Sequence, residues 1–353
     1  MHYLHGLHPL SPNLYDNLNK LPFFQSVPYA NLLVESGQEY YWIYTTDNDN
    51  RYIRTSLLVQ ITGQKGILKY STTRALIIHG PVLLAEISKD ELNAVLRTMF
   101  HHLPWYTLFV QIRNEKPPEI ILEEACIKAG FYFNERLNLL TPVQDIKTAW
   151  QRMSAGRRRQ VRQSLRHELL VNDAVTSSDV DSFYKILSSL YKRIGKPLPT
   201  KAFFQIFLNK IHNKELKALF LVARFENQII GGIVAPFDEK RKAYEFYISA
   251  LDKDFAKKHV YPSVALTWEA MQRASEVGCH TFDFMGMGLP GQHYGVREFK
   301  LRFGGKMINP GRWNRVFCPW LFYPVKTVYK LLMVVNSVCH KIRYRVKSLS
   351  ERM

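Results

Sequence analysis

Two apolar runs at 218–225 and 228–236 are joined by only two residues, Glu226 and Asn227, and this link constrains the fold more than any other feature of the chain. A two-residue connection cannot carry a crossover, so the runs must be antiparallel neighbours in one sheet. A third run at 242–249 follows Asp238-Glu239-Lys240 and extends the pair into a meander. Helices expected over 149–165, 178–194 and 200–211 precede it. A helix over 262–277, with Pro262 at its first position, and a strand over 281–285 complete the unit.

The first half repeats this grammar. Strands are expected at 39–46, 52–61, 75–79 and 106–112, rich in β-branched and aromatic residues. Ser88 with Glu91 three residues on opens a helix running to 103, and Pro118 starts another that stops at Gly130. Two meander-plus-helix units fit the 353 residues at about 150 residues per domain. The fold class is therefore α+β, a mixed α/β arrangement. The expected divisions are 1–147, 148–312 and a tail at 313–353.

The formal charge of +18 favours polyanionic partners such as nucleic acid, phosphorylated substrates or an anionic membrane face. Half of the excess lies in 306–353, where ten Lys or Arg stand against Glu351 alone. With its Trp, Tyr and Phe residues this tail reads as basic and amphipathic, suited to an anionic membrane surface or to packing on the first domain. Cys126, Cys279, Cys318 and Cys339 have no paired spacing, which fits a reducing cytosol. The N-terminus lacks the pattern of a secretory signal, and no uncharged apolar run is long enough to span a membrane. A cytoplasmic monomer is expected, peripheral to the inner face of the membrane at most. No metal-ligand spacing among the histidines and no activated nucleophile motif is present.

Residues 280–305 gather the chemistry. A short strand runs into a loop broken by Gly286, Gly288 and Gly291, followed by Tyr294, Arg297, Phe299, Lys300 and Arg302. The glycines precede no clear helix, so they are expected to shape a cleft rather than hold a nucleotide. Alternation places Asp283 on the opposite face from Phe282 and Phe284, where its carboxylate could orient or deprotonate an amine. Arg158, Arg162 and Arg166 recur at i, i+4 and i+8 and form a cationic row suited to phosphate.

Phe282-Asp283-Phe284-Met285-Gly286 and the ending Phe299-Lys300-Leu301-Arg302-Phe303-Gly304-Gly305 resemble the Fem-family transferases of the GNAT-like superfamily. Leu21-Pro22-Phe23-Phe24-Gln25-Ser26, His79-Gly80-Pro81-Val82, Gly130-Phe131 and the Arg-rich stretch at 150–164 follow in the same order. The resemblance implies tandem GNAT-like domains with mixed, largely antiparallel sheets and a cleft between them. It implies transfer of an aminoacyl group from aminoacyl-tRNA to an amine of a diphosphate-bearing peptidoglycan or other envelope precursor, with no cofactor. The long coiled-coil arm of some members has no room here.

By this resemblance Lys300 stabilises the developing oxyanion and Phe299 stacks on the terminal adenine. Arg297, Tyr294 and Arg302 complete the donor side. Arg193, Lys201 and Tyr247 are carried over as acceptor contacts beside Arg158 and Arg162. Coenzyme A users of the GNAT type place a glycine loop before the helix that follows their fourth strand; here that position reads Lys257-Lys258-His259-Val260-Tyr261-Pro262. A coenzyme A thioester is thus the alternative donor, on an amino sugar or lipid. A non-catalytic RNA- or membrane-binding module is the second alternative.

Overall fold

The structure is a computed structural model that describes residues 2–5, 12–49, 51–64, 66–238, 241–328 and 331. The chain begins with β1 (His2–His5), α1 (Pro12–Asn19), α2 (Val27–Glu35), β2 (Glu39–Thr46), β3 (Ile53–Thr62), α3 (Lys69–Thr72), β4 (Arg74–Ile78) and β5 (Val82–Leu83). It continues through α4 (Lys89–His102), β6 (Phe109–Arg113), α5 (Ile120–Lys128), β7 (Tyr132–Asn134), β8 (Asn138–Pro142), α6 (Ile146–Arg152), α7 (Ala155–Arg166), β9 (Leu170–Asp173), α8 (Ser177–Ile194) and α9 (Lys201–His212). The meander follows as β10 (Ala218–Phe225), β11 (Gln228–Asp238), β12 (Lys242–Tyr244) and β13 (Tyr247–Ala250). Last come α10 (Asp252–Phe255), α11 (Pro262–Glu276), β14 (Thr281–Asp283), α12 (Gly295–Leu301), β15 (Lys306–Ile308) and β16 (Arg312–Val316).

Glu226 and Asn227 both adopt positive φ, 50° and 62°, the geometry a two-residue hairpin needs to match strand twist. The strands form two sheets, ordered β1-β2-β3-β4-β6-β16-β7 with β5 on β3, and β15-β8-β14-β12-β11-β10-β9 with β13 on β11. The pairs β4–β6 and β12–β14 are parallel. The other pairings among the described residues are antiparallel, as expected for mixed, largely antiparallel sheets. Among the described residues no helix is long and apolar enough to cross a membrane.

Three local expectations change. The helix expected over 149–165 is two helices, because Met153 and Ser154 leave the helical path and the Ser154 hydroxyl caps α7 by accepting from the Arg157 N–H at 3.3 Å. The third meander run splits at Glu245 and Phe246, so that β12 continues beside β14 while β13 returns to β11. The glycine-broken loop does precede a helix, α12, and Lys300 lies in its last turn.

The two sheets exchange strands. Sequence order places β8 with the first unit, yet it pairs with β14 and β15 in the second sheet, and β16 returns to pair with β6 and β7 in the first. The changes of sheet come at 135–137 and 309–311, against the expected divisions after 147 and after 312. These connections run side by side: the Arg136 N–H donates to Asn309 Oδ1 at 3.0 Å, and the Gly311 N–H to the Arg136 carbonyl at 3.3 Å. Gly311 has φ 65°, and a Cβ there would lie 2.0 Å from the Phe133 ring, so only glycine fits.

Alternation along the strands gives each sheet two apolar faces. The outer face of the first sheet, with Ile43, Val59, Ile77, Val110 and Ile112, packs on α4 and α5. The outer face of the second, with Leu221, Ile233 and Phe282, packs on α7 and α11. A third core joins the units: Trp42, Leu58 and Ile78 of the first sheet, Phe220 and Val234 of the second, and Phe183, Phe204 and Phe207 of α8 and α9 bury together. Beyond β16, residues 319–328 are helical and the Phe322 ring packs 5.0 Å from Phe109, against the first unit. The remainder of the basic tail, from 332 on, lies outside the described residues.

Because one core serves both sheets, Phe204→Ala, which removes a fully buried ring from it, should cost about 3–5 kcal/mol. Urea unfolding followed by circular dichroism should show one cooperative transition at lower denaturant. Two separated transitions would mean that the units are stabilised independently.

Candidate functional site between the two sheets

The loop at 284–288 is fixed along the incoming edge of β8. The Phe284 N–H donates to the Leu139 carbonyl at 3.1 Å, Met287 to Leu137 at 2.7 Å, and Leu137 back to Gly288 at 3.0 Å. Asp283, fully buried, accepts from Asn138 Nδ2 and from the Met285 N–H, both at 2.7 Å. Asn138 Oδ1 in turn accepts from the Gly286 N–H at 2.8 Å. Asp283 thus staples the loop through one carboxylate oxygen. Its other oxygen has no hydrogen-bond donor and lies 4.0 Å from Lys242 Nζ.

Under this loop Lys300 and Glu245 form a buried ion pair, with Nζ 2.9 Å from Oε1. Lys300 also donates to the carbonyls of Phe284 and of Gly286, the latter at 3.1 Å. All three of its protons are therefore engaged, so it has no proton left to donate and could influence a neighbouring group only through its field. Burial raises the Glu245 carboxyl above its usual range, against the pull of Lys300. The neighbouring Thr267 hydroxyl has one proton for either the Ser263 carbonyl, at 2.9 Å, or Glu245, and Oε2 has no hydrogen-bond partner when that proton goes to Ser263. A desolvated carboxylate with a free oxygen is suited to proton transfer.

A second polar group ties the units together. Glu115, just past β6, meets Arg241 at 2.8 Å and Lys242 at 3.0 Å. Burial would raise its carboxyl, but His79, Lys242 and Arg241 hold it well below the ordinary value. His79 ends β4 with φ 56°, buried between Phe24 and Tyr244, and its Nδ1 has no partner. Burial lowers its pKa, so the neutral ring is favoured.

Beside the loop lies a cluster of cations. Arg113 on β6 and Arg312 on β16 are direct cross-strand partners, and both donate to Gln111 Oε1, at 3.0 and 3.5 Å. Like charges placed opposite each other destabilise a ladder. Burial lowers both guanidinium pKa values, and Arg74 lowers that of Arg113 further, while Arg113, Arg136 and Arg74 do so for Arg312. Lys196, in the segment after α8, is lowered by burial and then by Arg312, Arg113, Lys300 and Arg136. Among the described residues Arg113, Arg136, Arg312 and Lys196 form no ion pair with a carboxylate. Guanidinium groups do not give up their protons near neutrality, so such a cluster is relieved by an anion.

The expected site residues divide. Tyr247 lines this region, packed on Phe204 at 5.1 Å, and it influences Arg113 electrostatically. Arg297 donates to the Met287 carbonyl at 3.2 Å and to the Leu289 carbonyl, holding the loop from α12. Tyr294 packs on Gly288, where a Cβ would come within 2.9 Å of its ring. Phe299 carries the Arg157 guanidinium 4.4 Å above its ring, so that face is covered against a base. Arg302 is exposed, with its carbonyl bonded to the Ser154 N–H.

Three expected phosphate contacts are engaged elsewhere, and the fourth is exposed. Arg158 caps the end of α6, donating to the Gln151 carbonyl at 2.7 Å and the Met153 carbonyl at 2.6 Å. Arg162 covers the Trp150 ring at 5.4 Å, on the outer side of the second sheet. Lys201 pairs with Asp181 at 3.0 Å, and Arg193 is exposed in the last turn of α8. Arginine at helical spacing indicated charge without indicating which helix end or ring it serves. The buried Glu245 and His79, the half-buried Glu115, Arg113 and Arg312, and the exposed Lys196 were missed as site residues. The alternation of 109–113 places Gln111 and Arg113 on one face, but their partner strand lies some 200 residues away.

Removing Lys300 leaves Glu245 buried without its counter-charge. Lys300→Met should raise the Glu245 pKa further in the folded state, so its stability is kept below the unfolded value near 4.3 and lost as pH rises through the folded one. Thermal melts should show the deficit relative to the parent growing by roughly 1–3 kcal/mol from pH 5 to pH 8, and added Glu245→Gln should remove that growth. A pH-independent deficit would contradict the ion pair.

Residues 151–301 match the acetyltransferase (GNAT) domain family. None of the curated proteins matches the chain. Among solved structures the chain is similar to the crystal structure of FemX, at 14% identity and a TM-score of 0.65, over 94% of this chain and 100% of that one. It is also similar to the C-terminal domain of a putative lysylphosphatidylglycerol synthetase from Agrobacterium fabrum, at 12% identity and 0.51, over 89% and 94%. L-PGS from Bacillus licheniformis matches at 12% and 0.52, over 86% and 91%. At these identities the likeness concerns the fold. The second unit thus carries the match to the acetyltransferase (GNAT) domain family, and the chain as a whole shares its two-sheet fold with FemX.

Proposed function

We propose that the protein transfers an aminoacyl group from aminoacyl-tRNA to an amine of a diphosphate-bearing cell-envelope precursor. The observation that carries this reading is the nearness, through Lys196, of the desolvated Glu245–Lys300 pair to an arginine cluster that forms no ion pair with a carboxylate among the described residues. The cluster suits a diphosphate, with Arg113 and Arg312 as its centre and Lys196 towards the reacting end. FemX and the lysylphosphatidylglycerol synthetases share the fold, and the Phe-Lys pair with its Gly-Gly ending is similar to that of the Fem family.

The acceptor amine attacks the ester carbonyl, the C–O bond to the ribose breaks from the tetrahedral intermediate, and an amide bond forms. Glu245 Oε2 takes the proton that the amine loses, and the departing ribose oxygen regains one. The buried Lys300 charge favours the oxyanion through the low-dielectric site.

A thioester donor is disfavoured by the start of α11. Pro262 has no N–H to offer, the Ser263 N–H donates to Asp252 at 3.1 Å, and the Tyr261 N–H donates to Ser164 Oγ at 2.9 Å. A carboxylate and a hydroxyl thus occupy two amides that a coenzyme A pyrophosphate would need.

Purified protein incubated with labelled aminoacyl-tRNA or labelled acyl-coenzyme A and a panel of nucleotide- and lipid-linked precursors should move label from the tRNA alone. Transfer only from coenzyme A would sink the reading. Glu245→Gln should lower kcat by about 10²–10⁴. Arg312→Gln should instead raise the acceptor KM with little change in kcat, since it removes binding common to ground and transition states.

A further inference from the structure

Three chain segments leave one end of the first sheet side by side. The Leu108 N–H donates to the Thr73 carbonyl and the Phe317 N–H to the Leu108 carbonyl, both at 2.9 Å, so residues 73, 108 and 317 stand in a row. Directly before Thr73 lies α3 with its preceding turn, before Leu108 lie Trp105 and Tyr106, and after Phe317 comes the helical segment at 319–328. Each segment carries large apolar side chains out into solvent. Ile67 is 83% exposed, Trp105 82% and Trp320 77%, and Leu68, Tyr70 and Tyr323 are exposed beside them.

These side chains are clustered. The Tyr70 ring lies 5.3 Å from Trp105, and Lys69 Nζ stands 5.0 Å over both Tyr70 and Tyr106. Phe322 packs inward on Phe109, which holds the third segment against the sheet with Trp320 and Tyr323 outward. The sequences 64–74, 101–109 and 317–331 contain Lys65, Lys69, Arg74, Lys326 and Lys330 and not one Asp or Glu. The chain that follows, 332–353, adds Lys341, Arg343, Arg345, Lys347 and Arg352 against Glu351.

We infer that this end of the first unit docks on the surface of an anionic lipid bilayer, with Ile67, Trp105 and Trp320 entering the headgroup region and the surrounding lysines meeting lipid phosphates. Exposed Trp and Tyr with an apolar body and a polar tip fit that interface, and each Lys or Arg near an anionic surface adds attraction that salt screens. Another protein would offer carboxylates to these lysines, but exposed Trp, Tyr and aliphatic side chains on three segments whose sequences hold Lys and Arg and no Asp or Glu match an anionic bilayer better. The inference does not rest on the nature of the acyl donor.

The test is co-sedimentation of the full chain with vesicles of phosphatidylglycerol and phosphatidylcholine, and of phosphatidylcholine alone, at low and high salt. Binding to the anionic vesicles, weakened by salt, is expected. The triple variant Ile67→Ser, Trp105→Ala, Trp320→Ala should bind at least about tenfold more weakly, with an unchanged circular dichroism spectrum because all three positions are exposed. Brominated lipid should quench the parent's fluorescence and quench Trp105→Phe, Trp320→Phe far less. No binding to anionic vesicles would overturn the proposal. So would equal binding by the triple variant, or a dimer in light scattering that the same substitutions dissolve.

Discussion

The inner face of the first sheet changes character across its width, and both the joining of the units and the site between them depend on that change. On β2, β3 and β4 it presents Tyr40, Trp42, Leu58 and Ile78, which bury against α8, α9 and the second sheet. On β6 and β16 the same face presents Gln111, Arg113, Arg312 and Asn314. The apolar half can exclude water and hold the sheets together. The cationic half cannot close in the same way, because packing guanidinium groups against an apolar layer would strand their charge.

The groups that hold the cleft in shape are themselves polar, and each connects one unit to the other. Glu115 follows a strand of the first sheet and meets Arg241 and Lys242 of the second. The Phe23 N–H, before α2, donates to Asp238 at the end of β11, at 2.9 Å. Burial pushes the Asp238 carboxyl up to about 6. Lys210 of α9, itself buried, pairs with Glu35 of α2 at 2.6 Å and with Glu215 at 2.8 Å. Breaking such a pair on one side leaves an uncompensated charge, so these contacts fix the relative setting of the units even where their net stabilisation is small.

Much of this architecture was legible in the sequence because it is local. The Glu226-Asn227 hairpin, the capped helix after Ser88 and the period-2 strands each depend on neighbours within a few residues. What was hidden depends on register across long separations. That β16 pairs with β6, and so sets Arg312 against Arg113, follows from contacts between residues some 200 positions apart. The same holds for Asp283, whose alternation was read correctly as opposite to Phe282 and Phe284, while its partner Asn138 lies on the far side of the second unit's sequence. The row of arginines on α7 misled for a related reason. Arg158 and Arg162 serve the carbonyl end of α6 and the Trp150 ring, which a helical wheel does not contain.

The strand exchange explains why the placement of the Phe-Lys motif depends on the whole chain. Lys300 is placed by the carbonyls of Phe284 and Gly286, and these are held by Leu139 and Asn138 at the start of β8. The residues entering β8 come directly from β7 of the first sheet, and the residues leaving β15 return to β16 beside it. A displacement of the first sheet would therefore pull on both connections that flank the loop. Lys300 and the arginine pair on β6 and β16 are thus fixed to one another through two short, mutually hydrogen-bonded stretches of backbone. The proposed transfer between two large substrates would need such a fixed distance, because effective concentration is lost when the reacting groups are held an ångström out of place.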